Sequence, residues 1–368
     1  MITIDYALSF DDVLLVPRKS DLSSRSDVDL STNLTRKIKI NFPLVSSAMY
    51  NVTESEMAIA MAKEGGLGII HRFMTIEEEC EHVKRVKECE FEKKGFPLAS
   101  VDKKGRLLVG ASIGVKNDFI KRTEALLNAG CDIITIDVAH GHMEKVIKAI
   151  KQIKREFEDV NLIAGNVATY EAAKDLAEAG ADCIKVGIGP GSTCITRIVT
   201  GFGVPLFTSL IECSKILKEY DVTLMADGGM RSSGDIVKAL AAGASIAMCG
   251  FIFSGTDEAP GEIIEVNGKK FKQFNGMFSL HANKKLKSIE NENLENNRVI
   301  TEGVEAFVPY KGRLSDVFFK IAGGIRHGLS YCGARNIQEL QEKAKFIKIT
   351  QNGLRESYPH DVAFLENQ

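Results

Sequence analysis

Short apolar runs alternate with amphipathic segments along most of the chain. Eight runs stand at 43–48, 67–70, 109–114, 133–138, 161–166, 183–188, 223–229 and 245–251, most with Gly, Asn, Asp or Ser near their ends. Their hydrophobicity is continuous rather than alternating, which indicates strands that are buried on both faces. The segments between them, such as 54–65 and 118–130, close on Gly, as helices with a C-terminal cap do.

A recurring phrase supports a repeated helix–turn–strand unit. NAGCD at 128–132, EAGAD at 178–182 and AAGAS at 241–245 each precede a predicted strand. Eight strands alternating with helices predict an α/β protein with a (β/α)8 TIM barrel; a doubly wound sheet is the alternative. We expect one catalytic barrel domain over 1–368, with a flap at about 275–308 and a C-terminal tail at about 340–368. The polar stretch 289–298 predicts a mobile part of that flap.

The amino-acid composition argues against several classes of binding partner. The 368 residues carry 47 Lys and Arg against 49 Asp and Glu, so no basic excess exists for binding nucleic acid. The eight cysteines include no CxxC pair and no Cys/His cluster, which argues against zinc, and Cys183 and Cys249 lie in apolar runs that predict buried thiols. With no signal-peptide pattern and no membrane-length apolar stretch, we expect a cytoplasmic protein without a membrane partner.

Polar residues gather where the predicted strands end. In a barrel of this kind, the loops after the strands form the active face. These positions hold Ser47, Met49, His71, Arg72, Asp137, His140, Asn166, the loop 187–196, Asp227, Gly228, Gly229 and Gly250. Polar groups beside apolar strand bodies favour a site for a small molecule.

The glycines after strands seven and eight predict a phosphate site. Loops at these two strands are the usual phosphate cradle of the fold, where backbone amides point at oxygens. Gly228, Gly229 and Gly250 stand there, and Asp227 could accept hydrogen bonds from a ribose diol. The alternative is that the paired glycines merely end a strand.

Cys194 is the candidate nucleophile. It lies in GIGPGSTCIT at 187–196, a loop in which a regular core would not bury the thiol. A thiolate here could attack an electron-poor carbon, with Thr196 as a proton carrier. For one cysteine among eight, a bystander role is an equal alternative, and the loop context favours the nucleophile.

The run VGIGPGSTCITRIVTGFG at 186–203 resembles the catalytic loop of the IMP dehydrogenase/GMP reductase family. Similar matches occur at 9–20, 165–169, 226–235 and 353–362, so the resemblance covers essentially the whole chain. It implies a barrel that acts on a purine mononucleotide with a nicotinamide cofactor, through a covalent adduct between Cys194 and purine C2. The chain lacks the regulatory CBS pair that many IMP dehydrogenases insert between strands two and three.

The resemblance leaves two reactions to separate. A dehydrogenase of this family needs water activated by an Arg-Tyr pair on the flap, whereas a reductase expels ammonia from GMP and needs no such base. Glu302 and Gly303 are present, but 284–303 contains no Arg-Tyr, and Arg298 is followed by Val299. DVAHGH at 137–142 resembles reductases, while PYKGRLSDV at 309–317 resembles dehydrogenases. We therefore expect an NADPH-dependent GMP reductase; the alternatives are an NAD-dependent IMP dehydrogenase and a nucleotide-binding member without turnover.

The resemblance implies a role for each matching residue. The catalytic set is Cys194, Thr196 and Glu302. The substrate-binding set is Ser47, Met49, Ser192, Asp227, Gly228, Gly229, Gly250 and Met277. The cofactor set is Asp137, Asn166 and Gly187. Backbone carbonyls of Gly189, Gly191 and Cys194 are a candidate K+ site, for which a simple tight loop is an equal alternative. The resemblance also implies a homotetramer.

Three positions depart from the family pattern. Tyr50 stands where Asp is common, Phe251 where a phosphate-binding Ser is frequent, and Phe274 where Tyr is frequent. Each hydroxyl lost beside phosphate would weaken binding by about 1 kcal/mol. Such losses predict weaker binding, a different nucleotide or a degenerate enzyme.

Overall fold

Eight parallel strands close into a barrel at the centre of the molecule. The computed structural model describes residues 6–116, 118–289 and 300–362. The strands are β1 (Leu44–Ser46), β2 (Leu67–Ile70), β3 (Gly110–Ile113), β4 (Ile133–Asp137), β5 (Leu162–Val167), β6 (Cys183–Val186), β7 (Thr223–Asp227) and β8 (Ile246–Cys249). Each follows its predecessor in space, and β8 pairs with β1 to close the ring. The predicted TIM barrel is confirmed, and each strand falls on one of the eight apolar runs.

Alternate strand residues face two different cores. Ile69, Ile163 and Met225 belong to a buried cluster inside the barrel, whereas their neighbours Ile70, Ala164 and others pack outward against the helices. Because both faces are covered, both faces must be apolar, which is why the runs read as continuous rather than alternating. A short hairpin, Thr32–Asn33 with Lys39–Ile40, closes the amino-terminal end of the barrel.

Helices surround the barrel. They are α1 (Ser55–Lys63), α2 (Ile76–Glu88), α3 (Phe119–Asn128), α4 (Glu144–Glu156), α5 (Tyr170–Glu178), α6 (Thr196–Thr200), α7 (Leu206–Cys213), α8 (Ser233–Ala241), α9 (Leu280–Ile289), α10 (Leu314–Tyr331), α11 (Ile337–Lys343) and α12 (Gln351–Arg355). Short 3₁₀ turns stand at Phe10–Asp12, Arg25–Asp27, Lys93–Gly95 and Ser214–Lys218. Gly130, Gly180 and Gly243 follow α3, α5 and α8 with φ of +97°, +107° and +109°. Left-handed backbone of this kind explains why the repeated phrase carries Gly.

Besides the hairpin at its amino-terminal end, the described residues form two further small sheets outside the barrel. Val13–Leu15 pairs antiparallel with Phe346–Lys348, which ties the start of the chain to the tail. Ile264–Val266, Lys269–Gln273 and Phe307–Pro309 form a three-stranded sheet at the base of the predicted flap. Within that flap, α9 and residues 300–308 are described, whereas 290–299, including Arg298 and most of the segment predicted to be mobile, lie outside the described residues.

Among residues 6–116, 118–289 and 300–362, no helix is both long and apolar enough to cross a bilayer. The helices of this part of the chain pack instead around the barrel.

Candidate active site

One cavity at the carboxyl ends of the barrel strands brings the predicted site residues together. Every residue predicted for catalysis, for substrate or cofactor binding, or for the cation lines it, including Ser47, Met49, Ser192 and Met277. His71, Arg72, His140 and His142 do not belong to its lining. The geometry thus groups the candidates, and their individual roles remain predictions.

A chain of hydrogen bonds starts at Cys194. Its Sγ lies 3.1 Å from Thr196 Oγ1, and that hydroxyl donates to Glu302 Oε2 at 2.8 Å. Cys194 is half-buried rather than enclosed. A nucleophile, a hydroxyl and a carboxylate in this order can move a proton from sulfur to Glu302. Glu302 comes from the flap, 106 residues away along the chain.

Backbone pairing holds the flap against the Cys194 loop. Cys194 forms an antiparallel bridge with Gly303, and the Ile195 amide donates to the Glu302 carbonyl at 2.8 Å. The Val304 amide donates to the Thr193 carbonyl at 2.9 Å. Because these two hydrogen bonds, which make up the bridge, fix the flap segment to this loop, the position of the Glu302 carboxylate is set by backbone as well as by its own side chain.

Cys194 is more exposed to solvent than most of the other cysteines. Burial raises the pKa of Cys183 and of Cys213 to about 12, and it also raises that of Cys249. These thiols stay protonated near neutral pH and are poor nucleophiles. Burial of Cys183 and Cys249 confirms that expectation from the sequence. Only Cys89 and Cys194 are partly exposed, and of the two only Cys194 lines the cavity.

Lys185 is a site residue that the sequence analysis missed. Its Nζ lies 2.7 Å from Asp137 Oδ1 and 2.8 Å from Asp227 Oδ2, and it also donates to Asn166 Oδ1. Asn166 Nδ2 in turn donates to Asp227 Oδ2 at 2.8 Å and to the Gly187 carbonyl at 2.7 Å. One ammonium therefore fixes the side chains at the ends of three strands. The signal in the sequence was a lysine in the middle of the buried run CIKVGI.

The charge of Lys185 is stabilised by its partners. Its side chain is 2% exposed, and burial alone would lower its pKa. The carboxylates of Asp137 and Asp227 outweigh that effect and raise the pKa of Lys185 above its usual value. The lysine is therefore permanently charged at physiological pH, and one oxygen of each carboxylate is committed to it.

The predicted phosphate cradle is built from close backbone approaches. Gly228 and Gly229 have φ of +91° and +71°, and a Cβ on Gly229 would lie 3.0 Å from the Pro190 carbonyl oxygen. A Cβ on Gly250 would lie 2.9 Å from Met49 Sδ. A side chain at Gly229 or Gly250 would therefore collide with its neighbours, so glycine is required at both positions of the lining.

Two of the three departures from the family pattern lie in the cavity. Phe251 and Phe274 line its Gly250 end, with ring centroids 6.3 Å apart. Tyr50 is buried outside the lining, where its hydroxyl accepts a hydrogen bond from Asn275 Nδ2 at 2.7 Å. The Tyr50 ring lies 5.7 Å from that of His281 on α9. Tyr50 therefore supports the flap helix, and in this position it does not line the nucleotide cavity.

Comparison with known proteins places this geometry in a family. The model of the IMP dehydrogenase / GMP reductase domain matches residues 7–360. The chain belongs to this family. An inosine-5'-monophosphate dehydrogenase of Borreliella burgdorferi is 44% identical, covering 97% of each chain. One from Nitrosopumilus maritimus is 41% identical, covering 97% of this chain and 99% of the relative.

A solved structure of the family has the same fold. It is a GMP reductase from Trypanosoma brucei in complex with guanosine 5'-monophosphate, with 33% identity and a TM-score of 0.93. The matched region covers 98% of this chain and 99% of the reductase chain. The family fixes an oxidoreductase of purine metabolism; relatives of both activities match along nearly the whole chain.

Proposed function

We propose that this protein is a GMP reductase, converting GMP to IMP and ammonia with NADPH. The observation that carries the proposal is the Cys194–Thr196–Glu302 chain of hydrogen bonds, in a protein without the flap tyrosine that hydrolysis requires. No tyrosine occurs anywhere between Tyr220 and Tyr310. The missing residue would stop the second half of a dehydrogenase reaction, whereas a reductase has no use for it.

The first half-reaction follows from the relay. The Cys194 thiol passes its proton through Thr196 to Glu302, and the thiolate attacks C2 of GMP. The C–S bond forms as the C–N bond to the exocyclic amine breaks. Glu302 returns the proton through Thr196 to the departing nitrogen, which leaves as ammonia with the C–N electron pair. The proton taken from Cys194 thus leaves on ammonia, and one proton from solvent restores the thiol after the adduct is reduced.

The cavity also suits a nicotinamide ring beside the adduct. Val138 and Ala139 are apolar residues of the lining that directly follow Asp137 in the chain, and Asn166 belongs to the same lining. A nicotinamide held by these residues would supply the hydride that C2 requires, and cleavage of the C–S bond would then return IMP and the Cys194 thiolate. Lys185 holds Asp137 through Oδ1, which would fix that carboxylate beside the ring.

Asp227 is positioned to hold the ribose. Its Oδ2 is occupied by Lys185 and Asn166, which leaves the other carboxylate oxygen to accept from the ribose diol. Gly229 and Gly250 would meet the phosphate with backbone amides. Because backbone amide dipoles in one pocket would bind the phosphate, the site needs no basic surface.

IMP dehydrogenase is the second candidate, favoured by the names of the curated relatives at 41% and 44% identity. Length does not separate the activities. The alignment with the Nitrosopumilus maritimus dehydrogenase extends over 470 positions, but that with the Borreliella burgdorferi dehydrogenase extends over 393. Short relatives therefore carry the dehydrogenase name as well.

Two assays on the purified protein separate the candidates. GMP with NADPH should consume the reduced cofactor and release one ammonia per IMP formed. Reduced cofactor and XMP from IMP with NAD would overturn the proposal in favour of the dehydrogenase. Silence in both assays, with GMP bound, would leave a nucleotide-binding member without turnover.

A further inference from the structure

A half-buried lysine lies behind the Gly250 end of the cavity. Lys311 Nζ donates to the carbonyl of Phe251, and to that of Ile252 at 3.2 Å. Its ammonium lies 4.5 Å from the centre of the Phe251 ring. Phe251 directly follows Gly250, and both line the cavity. A positive charge thus lies against the turn whose amides face the predicted phosphate.

Lys311 has no counterion in the described part of the chain. Among residues 6–116, 118–289 and 300–362, no carboxylate lies within ion-pair distance of its Nζ. The acids of the adjoining loop have other partners: Tyr310 donates to Asp257 at 2.6 Å, and the Leu314 amide donates to Glu258 at 2.8 Å. A partly buried cation held only by carbonyl oxygens is costly, so an anion that arrives nearby would stabilise it.

Lys272 offers a comparison within the same loop. It is also buried and bound to carbonyls, those of Thr256 at 3.0 Å and Ala259 at 2.5 Å. Those carbonyls belong to the far part of the loop, away from Gly250, and neither they nor Lys272 line the cavity. The two lysines therefore brace one loop at two places, and only one of the two places adjoins the cavity.

We propose that Lys311 is a phosphate-affinity residue: its charge, transmitted across the Phe251 peptide and ring, favours the nucleotide phosphate at Gly250. It would compensate for the two hydroxyls that Phe251 and Phe274 do not supply. The inference rests on the mononucleotide site of the proposed function, and it does not depend on which reaction follows.

The charge state of Lys311 supplies a second readout. Burial lowers the pKa of Lys311 to about 8, so the charge begins to be lost just above neutral pH. The titratable groups of the adjoining residues are Asp257, Glu258 and Tyr310, together with Lys272 on the strand Lys269–Gln273. Burial lowers the pKa of Lys272 as well, whereas that of Tyr310 is raised, so Lys272 is the group to control.

The test measures dissociation constants of GMP and IMP against those of guanosine and inosine. Replacing Lys311 with Met or Gln should weaken both mononucleotides by about tenfold, the size expected of one nearby charge, and leave the nucleosides unchanged. Gln retains a donor for the carbonyls, so an equal loss in both variants assigns the effect to charge. Lys311→Arg should preserve the preference for phosphate.

The pH series starts from the wild type. In the wild type, the ratio of GMP to guanosine affinity should fall as pH rises from 7 to 9.5, and in Lys311→Arg it should stay level. Lys272→Met and the surface variant Lys270→Met are the controls, and both should retain the wild-type ratio and its pH dependence. Lys272→Met also shows how loosening the loop affects the affinity ratio when the charge of Lys311 is retained.

Equal losses for nucleotides and nucleosides in the Lys311 variants would overturn the inference and leave Lys311 as a brace of the loop. An unchanged ratio in every variant would overturn it too. Should Lys311→Met fail to fold, the Arg variant and the pH series decide. If GMP and IMP bind without turnover, the inference stands and only the reductase reaction fails; if neither binds, both fall.

Discussion

The proton transfer that we propose at Cys194 depends on residues that lie far apart in the chain. Cys194 and Thr196 come from the loop after β6, whereas Glu302 comes from the flap, and backbone pairing at Gly303 brings the segments together. A carboxylate that receives a proton through one hydroxyl must keep its position during the reaction. The fixed flap strand provides that position.

Glu302→Gln tests the relay directly. Gln retains the size of the side chain and a hydrogen bond to Thr196 but cannot carry the proton. We expect ammonia release to slow by roughly 10²-fold or more, while the GMP dissociation constant stays close to that of the wild type. Rapid-quench measurement of ammonia in a single turnover checks this. Glu305→Gln, a change of an exposed neighbour, should be silent, and wild-type release by Glu302→Gln would exclude the relay.

Lys185→Met tests the buried network. Removing the ammonium leaves Asp137 and Asp227 without their shared cation, which should lower the free energy of unfolding by about 3 kcal/mol. The wild-type contribution is fully present below the ordinary lysine pKa of 10.5 and is lost only as pH rises through the higher pKa of the folded protein.

Urea unfolding of both proteins between about pH 6 and 9 should therefore show a constant difference. Lys148→Met, on the exposed face of α4, is the matched control. A difference that shrinks toward pH 9 would contradict a raised pKa for Lys185.

Some secondary-structure elements can be predicted from the local sequence, and others depend on residues elsewhere in the chain. The eight barrel strands were predictable because both faces of each are buried, so hydrophobicity alone marks them. The strand Lys269–Gln273 was not, because four of its five residues are exposed or half-buried, and pairing rather than burial defines it. Lys185 escaped prediction for a related reason: its carboxylate partners come from other strands. The role predicted for Glu302 rests on the family resemblance alone, whereas the loop context also favoured Cys194 as a nucleophile.

The flap helix α9 depends on Tyr50, which leads to a prediction. Tyr50→Phe removes the hydroxyl that accepts from Asn275, at a cost of about 1 kcal/mol. Tyr50→Ala also removes the ring between Phe73 and His281 and should release α9 from the barrel. Hydrogen exchange of amides 280–289 should rise slightly in the first variant and strongly in the second. Tyr331→Ala, at an exposed tyrosine, should change nothing there; protection retained in Tyr50→Ala would show that α9 docks by other contacts.

At the scale of the whole molecule, large apolar side chains remain exposed. Ile198, Phe202 and Phe319 are 84%, 77% and 79% exposed in the single chain. Exposed apolar surface of this kind marks association. We expect the homotetramer that the family resemblance implies, and light scattering should give a particle of about four times the 40.3 kDa chain. A monomer at micromolar concentration would contradict it.

The antiparallel pair of Val13–Leu15 with Phe346–Lys348 has a consequence for biosynthesis. A ribosome that adds about 5–20 residues per second finishes residue 13 long before residue 346 leaves the exit tunnel. The barrel also depends on late residues, since β1 can pair with β8 only after β8 has been synthesised. Val13–Leu15 and the edge of β1 that pairs with β8 must therefore stay unpaired for roughly tens of seconds during translation, a period in which a chaperone would protect them, and the native fold forms only once synthesis is nearly complete.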